Sequence, residues 1–142
     1  MAVFIDSSVI IGLINSKDKN HSRAIEVLAE LSQVAYGRRI TMDYVMDEVL
    51  TTLWQHTHQK EVVLDAYKLI RKTPDFIRLE YMTPLLIDKA WKKWKKLAHW
   101  PKKPLSFTDC CILSFMEKYN VKHLASFNSD FKGLVLLVET GT

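Results

Sequence analysis

The chain opens with four consecutive apolar residues, Ala2 to Ile5, and the run stops at a carboxylate, Asp6. A short, unbroken apolar run rich in β-branched and aromatic types suits a strand covered on both faces, as in a parallel sheet. Ser7 and Ser8 follow, then Val9, Ile10 and Leu13 at helical spacing. Serine at a helix start caps backbone N–H groups left free there. Asp6 is therefore expected at a strand-to-helix turn on the carboxyl edge of a sheet, where open α/β sheets bind ligands. An ordinary solvated turn residue is the competing reading.

Further along, a helix is expected from about His21 to Val34, with Ile25, Leu28, Ala29 and Leu31 inward. Ile40 and Thr41 suit a short strand. Met42, Val45, Met46, Val49, Leu50 and Leu53 recur at helical spacing, and a second helix covers about Lys60 to Arg71, with Val63, Ala66, Tyr67 and Ile70 on one face. Phe76 to Met82 mostly alternates apolar with polar residues, as an edge strand does. Thr83-Pro84 opens a helix with proline at its first position, running to about His99. Leu105 to Tyr119 holds one more helix, and Lys122–Phe127 and Leu134–Val138 read as strands. Strands alternating with helices imply an α/β fold with a parallel sheet.

Length and composition narrow the class. A chain of 142 residues with 48% hydrophobic residues and only 4 glycines and 4 prolines suits a single domain, residues 1–142, with a full core. No apolar run approaches the ~20 residues that span a bilayer. No basic stretch precedes a long apolar one at the start, so a cytoplasmic location is expected. Cys110 and Cys111 are adjacent and are expected to be reduced and buried. The formal charge of +4 is unevenly placed: residues 89–103 hold 7 lysines and no acid, leaving 13 basic against 16 acidic residues elsewhere. A mildly acidic body with one basic segment suggests a polyanionic partner.

Four acids stand out. Asp109 shares its helical face with Ile112, Leu113 and Met116, where a bare carboxylate is costly unless the first turn of the helix satisfies it. Glu48 and Asp47 flank the apolar arc of their helix on opposite edges, and periodicity does not choose between them. Asp130 follows the Lys122 strand, in a segment that also suits a plain turn. Asp6 and Asp130 should emerge on one edge of a parallel sheet. Asp109 opens the helix feeding the Lys122 strand, and in a simple layout it is expected to start at the opposite edge.

The segments DSSVIIGLIN, TMDYVMDEVLTTL, SFTDCCILSFMEKYNV and LASFNSDF, in that order and spacing, resemble the four signature segments of PIN-domain ribonucleases, among them the VapC-type toxins. The resemblance implies a three-layer α/β/α sandwich with a central, mainly parallel sheet of about five strands. It also implies a pocket of acids that binds Mg2+ or Mn2+ and cleaves single-stranded RNA. Carried over by position, Asp6, Glu48 and Asp109 match the first three acids. The fourth segment departs from the family pattern, T-x-D-x-D-F: the first acid position is Asn128 and the second is Asp130, and either could serve. A neutral amide holds a dication less well than a carboxylate. A homodimer and a partner antitoxin, whose side chain enters the pocket, are implied by resemblance alone.

Clustered carboxylates would repel a phosphate and one another. A divalent cation reverses that, lowers the pKa of a bound water and stabilises charge on the phosphoryl group, and hard oxygen donors suit Mg2+ or Mn2+. Ser7 and Thr108 flank two of the acids, and with Asn128 they are candidates for orienting water or phosphate. Lys92, Lys93, Lys95 and Lys96 suit an RNA backbone track, with Trp100 as a stacking platform. Ile87, Trp91, Trp94 and Ala98 share one face, so Trp91 and Trp94 read first as core. The alternative function is a non-catalytic PIN-like scaffold that binds RNA or protein without cutting. No P-loop, G-x-G-x-x-G or G-x-S-x-G occurs, and His56, His58 and the cysteines form no zinc pattern.

Overall fold

A computed structural model describes residues 1–98 and 104–140. Strand β1 (Ala2–Ile5) leads into α1 (Ser7–Ile14) and α2 (His21–Leu31), then β2 (Arg38–Met42), α3 (Asp43–Thr57) and α4 (Lys60–Lys72). Strand β3 (Arg78–Glu80) is followed by α5 (Pro84–Leu97) and α6 (Phe107–Lys118), and the chain ends with β4 (His123–Ala125) and β5 (Leu136–Leu137). The five strands form one parallel sheet in the order β3-β2-β1-β4-β5. The chain is thus a three-layer α/β/α sandwich. Right-handed crossovers put α1 to α4 on one face, and the reversal from β3 across to β4 puts α5 and α6 on the other. Helix packing agrees: α1 packs on α2 and α3, α3 on α4, and α5 on α6.

The central strand is the most deeply covered element, as its composition demands. Val3, Phe4 and Ile5 are buried, with β2 and β4 hydrogen-bonded on either side. Phe4 meets Phe115 of α6 edge-on, with ring centroids 5.5 Å apart. Helix α6 is itself buried from Cys110 through Met116, so it is the inner helix of its layer. Both cysteines are free and buried. Burial, with the neighbouring Cys110 and the charge of Asp43, pushes the Cys111 thiol up to about 12.

Several expected details shift. Helix α2 ends at Leu31 and buries Ala24, Val27 and Leu31, while Ile25 is exposed and Leu28 only half-buried. The stripe is rotated because Ala24 seats against Gly12 of α1. Met42 is buried as the last residue of β2, ahead of the helix rather than in it. Tyr67 lies at the edge of its helix face and is exposed. Helix α5 buries Leu86 and Ala90, and Trp91 turns outward to stack on the half-buried Trp94 at 5.5 Å. Trp94 is anchored instead by its indole N–H, which donates to the Leu105 carbonyl at 3.2 Å. The edge strands β3 and β5 are shorter than the apolar patterns suggest.

Gly12 provides a test of this packing. A Cβ there would meet Ala24 Cβ at 2.9 Å and the Asn20 carbonyl oxygen at 3.2 Å. Both are fixed to the backbone, so neither can swing away. Alanine would gain ~1 kcal/mol of helix propensity, but overpacking costs ~1–3 kcal/mol. Gly12→Ala should therefore lower stability in urea unfolding. An equal or higher midpoint would show that α1 and α2 can move apart freely.

Candidate metal centre at the carboxyl edge of the sheet

Asp6 follows β1 directly and extends its ladder, its N–H donating to the Ala125 carbonyl of β4 at 2.9 Å. It is also the N-cap of α1: one carboxylate oxygen accepts from the Ser7 N–H at 2.7 Å, with the Ser7 hydroxyl at a long 3.4 Å. The other oxygen accepts from the Ser126 hydroxyl at 2.7 Å. The residue is only 5% exposed. Burial raises its pKa above the ordinary carboxylate value, and the charge of Glu48 raises it further, while the hydrogen bonds from Ser126 and Ser7 pull it back without cancelling the rise.

Ser126 joins the first and fourth segments. Its hydroxyl oxygen also accepts from the Asn128 N–H at 3.1 Å, and the Asn128 side-chain carbonyl accepts from the Asp130 N–H at 3.0 Å. Asn128 is thereby the cap of the one-turn 3-10 helix Ser129–Phe131, and its carbonyl is committed to that turn. The Ser8 hydroxyl accepts from the Phe127 N–H at 3.0 Å, a second tie between these segments.

Asp109 sits in the first turn of α6 and forms a capping box with Ser106: each residue's side chain accepts from the other's backbone N–H at 3.0 Å. Burial raises its pKa, the charges of Asp6 and Asp130 add to the rise, and the hydrogen bonds to Ser106 oppose it. The expectation that Asp109 starts at the opposite edge is therefore wrong. A helix that feeds a parallel strand runs antiparallel to it, so its first turn lies beside the strands' carboxyl ends. The capping reading of Asp109 holds, and the site reading is compatible with it, since the charges of Asp6 and Asp130 act on the same carboxylate.

The electrostatic couplings thus link Asp6 with Glu48, and Asp109 with Asp6 and Asp130. Glu48 and Asp47 are both exposed on α3, and the choice of Glu48 rests on the resemblance in the signature segment. Among the described residues none of the four acids has a salt-bridge partner. No three His, Cys, Asp or Glu side chains there converge into a ready-made ligand shell. The donor set is nevertheless all carboxylate and uncompensated, which fits a hard divalent cation. Glu48, exposed on its helix, has the freedom to close on one.

Thr108 is half-buried beside Asp109, and Ser7 is held against Asp6. The lysines lie apart, on α5. Lys93 is half-buried and paired with Glu117 of α6, while the Lys95 ammonium lies 5.7 Å from the Trp91 ring centroid. Trp100 lies outside the described residues. The Ser106 cap is expected from the sequence; sequence reasoning misses Ser126, and also Asp43, whose carboxylate ties α3 to the chain after β3 by accepting from the Met82 N–H at 2.9 Å.

The family profile of the PIN domain matches residues 3–135. Among solved structures, the chain is similar to Mycobacterium tuberculosis VapC20, described as a sarcin-ricin loop cleaving toxin. That match has 22% identity and a TM-score of 0.79, covering 94% of this chain and 95% of that one. A toxin–antitoxin complex from Klebsiella pneumoniae matches at 17% identity and TM-score 0.62, over 98% and 97% of the two chains. VapBC2 from Rickettsia felis, bound to a promoter DNA fragment, matches at 13% and 0.62, over 97% and 98%. Comparison with curated proteins gives no match.

The buried charge of Asp6 makes a stability prediction. Its raised pKa means that the folded protein takes up a proton at a pH where the unfolded chain has lost it. Metal-free stability should therefore fall as pH rises through the raised value, and be fully present below the ordinary one. Asp6→Asn removes that loss. In EDTA at neutral pH it should melt higher than wild type by a few degrees, the scale on which single-site changes act in a chain of this size. The difference should close on acidification. A variant that melts lower at every pH would show that the carboxylate is a net stabiliser.

Proposed function

The chain belongs to the PIN-domain family, and from that premise we propose that it is a Mg2+- or Mn2+-dependent endoribonuclease acting on single-stranded RNA. The observation that carries this reading is the placement of Asp6 after β1, Asp109 in the first turn of α6 and Asp130 in the turn after β4, with Glu48 on α3, all without a salt-bridge partner among the described residues. Such a cluster is unfavourable alone and becomes favourable around a dication. Asp6, Glu48 and Asp109 would hold the metal, with Asp130 completing the set. The ion, when bound, would supply a hydroxide at neutral pH and offset charge on the phosphoryl group.

The protein's own groups position rather than react. Ser126 and the Ser7 N–H fix the two oxygens of Asp6 in one orientation. Ser106 fixes Asp109. Thr108 and the Ser7 hydroxyl are candidates to orient water or phosphate. Asn128 serves this site by shaping the turn that carries Asp130, so its substitution for an acid leaves a fourth carboxylate in place. That weighs against the scaffold alternative, in which the fold binds RNA or protein without cutting. Lys92, Lys93, Lys95 and Lys96 provide positive charge on α5.

The toxin role is supported by the likeness to VapC20 and to the Klebsiella and Rickettsia toxin–antitoxin proteins. It carries with it an antitoxin partner and a homodimer. No helix among the described residues is long and apolar enough to cross a membrane.

The test is cleavage of an unstructured RNA with Mg2+ or Mn2+ present or chelated. Activity should vanish in EDTA and return with the metal. Asp6→Asn and Asp109→Asn should each lower the rate by more than about 100-fold, the upper range for losing a group that only orients a metal ligand. Mn2+ should also raise the melting temperature of wild type and not of Asp6→Asn. RNA binding without metal-dependent cleavage would establish the scaffold instead.

A further inference from the structure

We propose that the groove between α5 and α6 is a phosphate-binding site that holds the backbone of a single-stranded RNA. The proposal rests on the ribonuclease reading and adds to it a binding surface outside the acid cluster. The groove measures about 270 Å3 and is lined by Lys89, Lys92, Lys93 and Lys96 of α5 and by Lys118 of α6. The four α5 lysines recur three and four residues apart, so they stand in one row on the helix, where like charges repel. Its single acid, Glu117, is paired with Lys93. Four positive charges remain without a salt-bridge partner among the described residues. A phosphate in the groove would turn that repulsion into attraction.

Ser114 supplies the second observation. It lines the same groove and is 1% exposed, and its hydroxyl finds no hydrogen-bond partner. A serine within a helix ordinarily bonds back to the carbonyl one turn earlier, and a buried hydroxyl ordinarily has a partner. A hydroxyl can donate to a phosphate oxygen, which the surrounding lysines would bring to it. Neither the row of lysines nor the orphan hydroxyl needs the other for packing. Both are explained by one anion.

The place of the groove favours an RNA strand over a free ion. Ser114 lies five residues beyond Asp109 on α6, ~7.5 Å along the axis at 1.5 Å per residue. A strand with its scissile phosphate at the acids could continue over this helix. Lys95, drawn over Trp91, is not part of the groove.

The experiment measures binding of a labelled, unstructured RNA in EDTA over a series of salt concentrations. The variant Lys89→Gln/Lys92→Gln/Lys96→Gln should bind about tenfold more weakly. Its salt slope should fall by about 0.7 for each phosphate that it no longer neutralises. Lys60→Gln/Lys68→Gln/Lys72→Gln on α4 removes the same charge elsewhere and should do far less. Ser114→Ala should weaken binding severalfold while melting no lower than wild type, since it removes an unsatisfied group. Inorganic phosphate should stabilise wild type more than either groove variant. Equal losses in the groove and α4 variants, or wild-type affinity and slope in both groove variants, overturn the proposal. Phosphate stabilisation with unchanged RNA affinity reassigns the groove to small anions and overturns the RNA assignment. Failure of the ribonuclease reading is scored separately, by metal-dependent cleavage. A protein that does not cut but loses RNA affinity in the groove variants retains this site.

Discussion

The buried carboxylate of Asp6 is the constraint around which the neighbouring segments are arranged. It stands at the end of the most covered strand, and burial makes its charge costly. The Ser7 N–H and the Ser126 hydroxyl each satisfy one oxygen. Those bonds offset part of the penalty but not all of it, because burial and the charge of Glu48 act the other way. The same two bonds pin the start of α1 and the segment after β4 to one point. What destabilises the metal-free fold therefore also fixes two oxygens in space, which is the preorganisation a cation site needs.

Parallel topology supplies the remaining acids. In a β–α–β unit the carboxyl end of a strand and the first turn of the helix preceding the next strand share an edge. Asp6 uses the first kind of position, at the end of β1. Asp109 uses the second, in the first turn of α6. Asp130 uses the turn after β4. Each of these acids or its immediate partner is also a cap: Asp6 for α1, Asp109 with Ser106 for α6, Asn128 for the turn that carries Asp130. The helix ends supply N–H groups and a positive dipole end that make negative charge tolerable there. Local capping thus places Asp6, Asp109 and Asp130 at their helix ends whether or not an ion is present.

This double duty explains what the sequence could and could not reveal. The order of strands and helices was readable because apolar period and length differ between them, and the β1 run announced a strand covered on both faces. Helix faces were less readable. Ile25 and Trp91 look like core by spacing, yet both are exposed, because close approaches at small residues (Gly12 with Ala24, and Ala90 in α5) set the rotation of those helices. Capping and site readings of Asp109 looked like rivals in the sequence, whereas the cap leaves the site role open to the same residue. Periodicity could not separate Asp47 from Glu48, since both flank the apolar arc of α3 and both are exposed. Ser126 was invisible because its significance is a hydrogen bond across 120 residues.

Charge segregation completes the picture. The lysines of α5 could in principle neutralise the acids, which would leave no place for a cation. They are kept from doing so by the layer they occupy. Helix α5 is the less buried helix of its layer, Lys93 is paired with Glu117, about two turns beyond Asp109 on α6, and Lys95 is drawn over Trp91. Among the described residues the acids therefore remain uncompensated by any salt bridge, and a row of positive charge remains on the outer layer. On the ribonuclease reading this separation imposes an order. A polyanion is attracted to α5 and repelled by the bare acids, so productive engagement requires the cation to reverse the sign of the pocket first. Moving a lysine from α5 into the pocket would weaken both features together, which is why this pattern of charge, more than its total, bears on function.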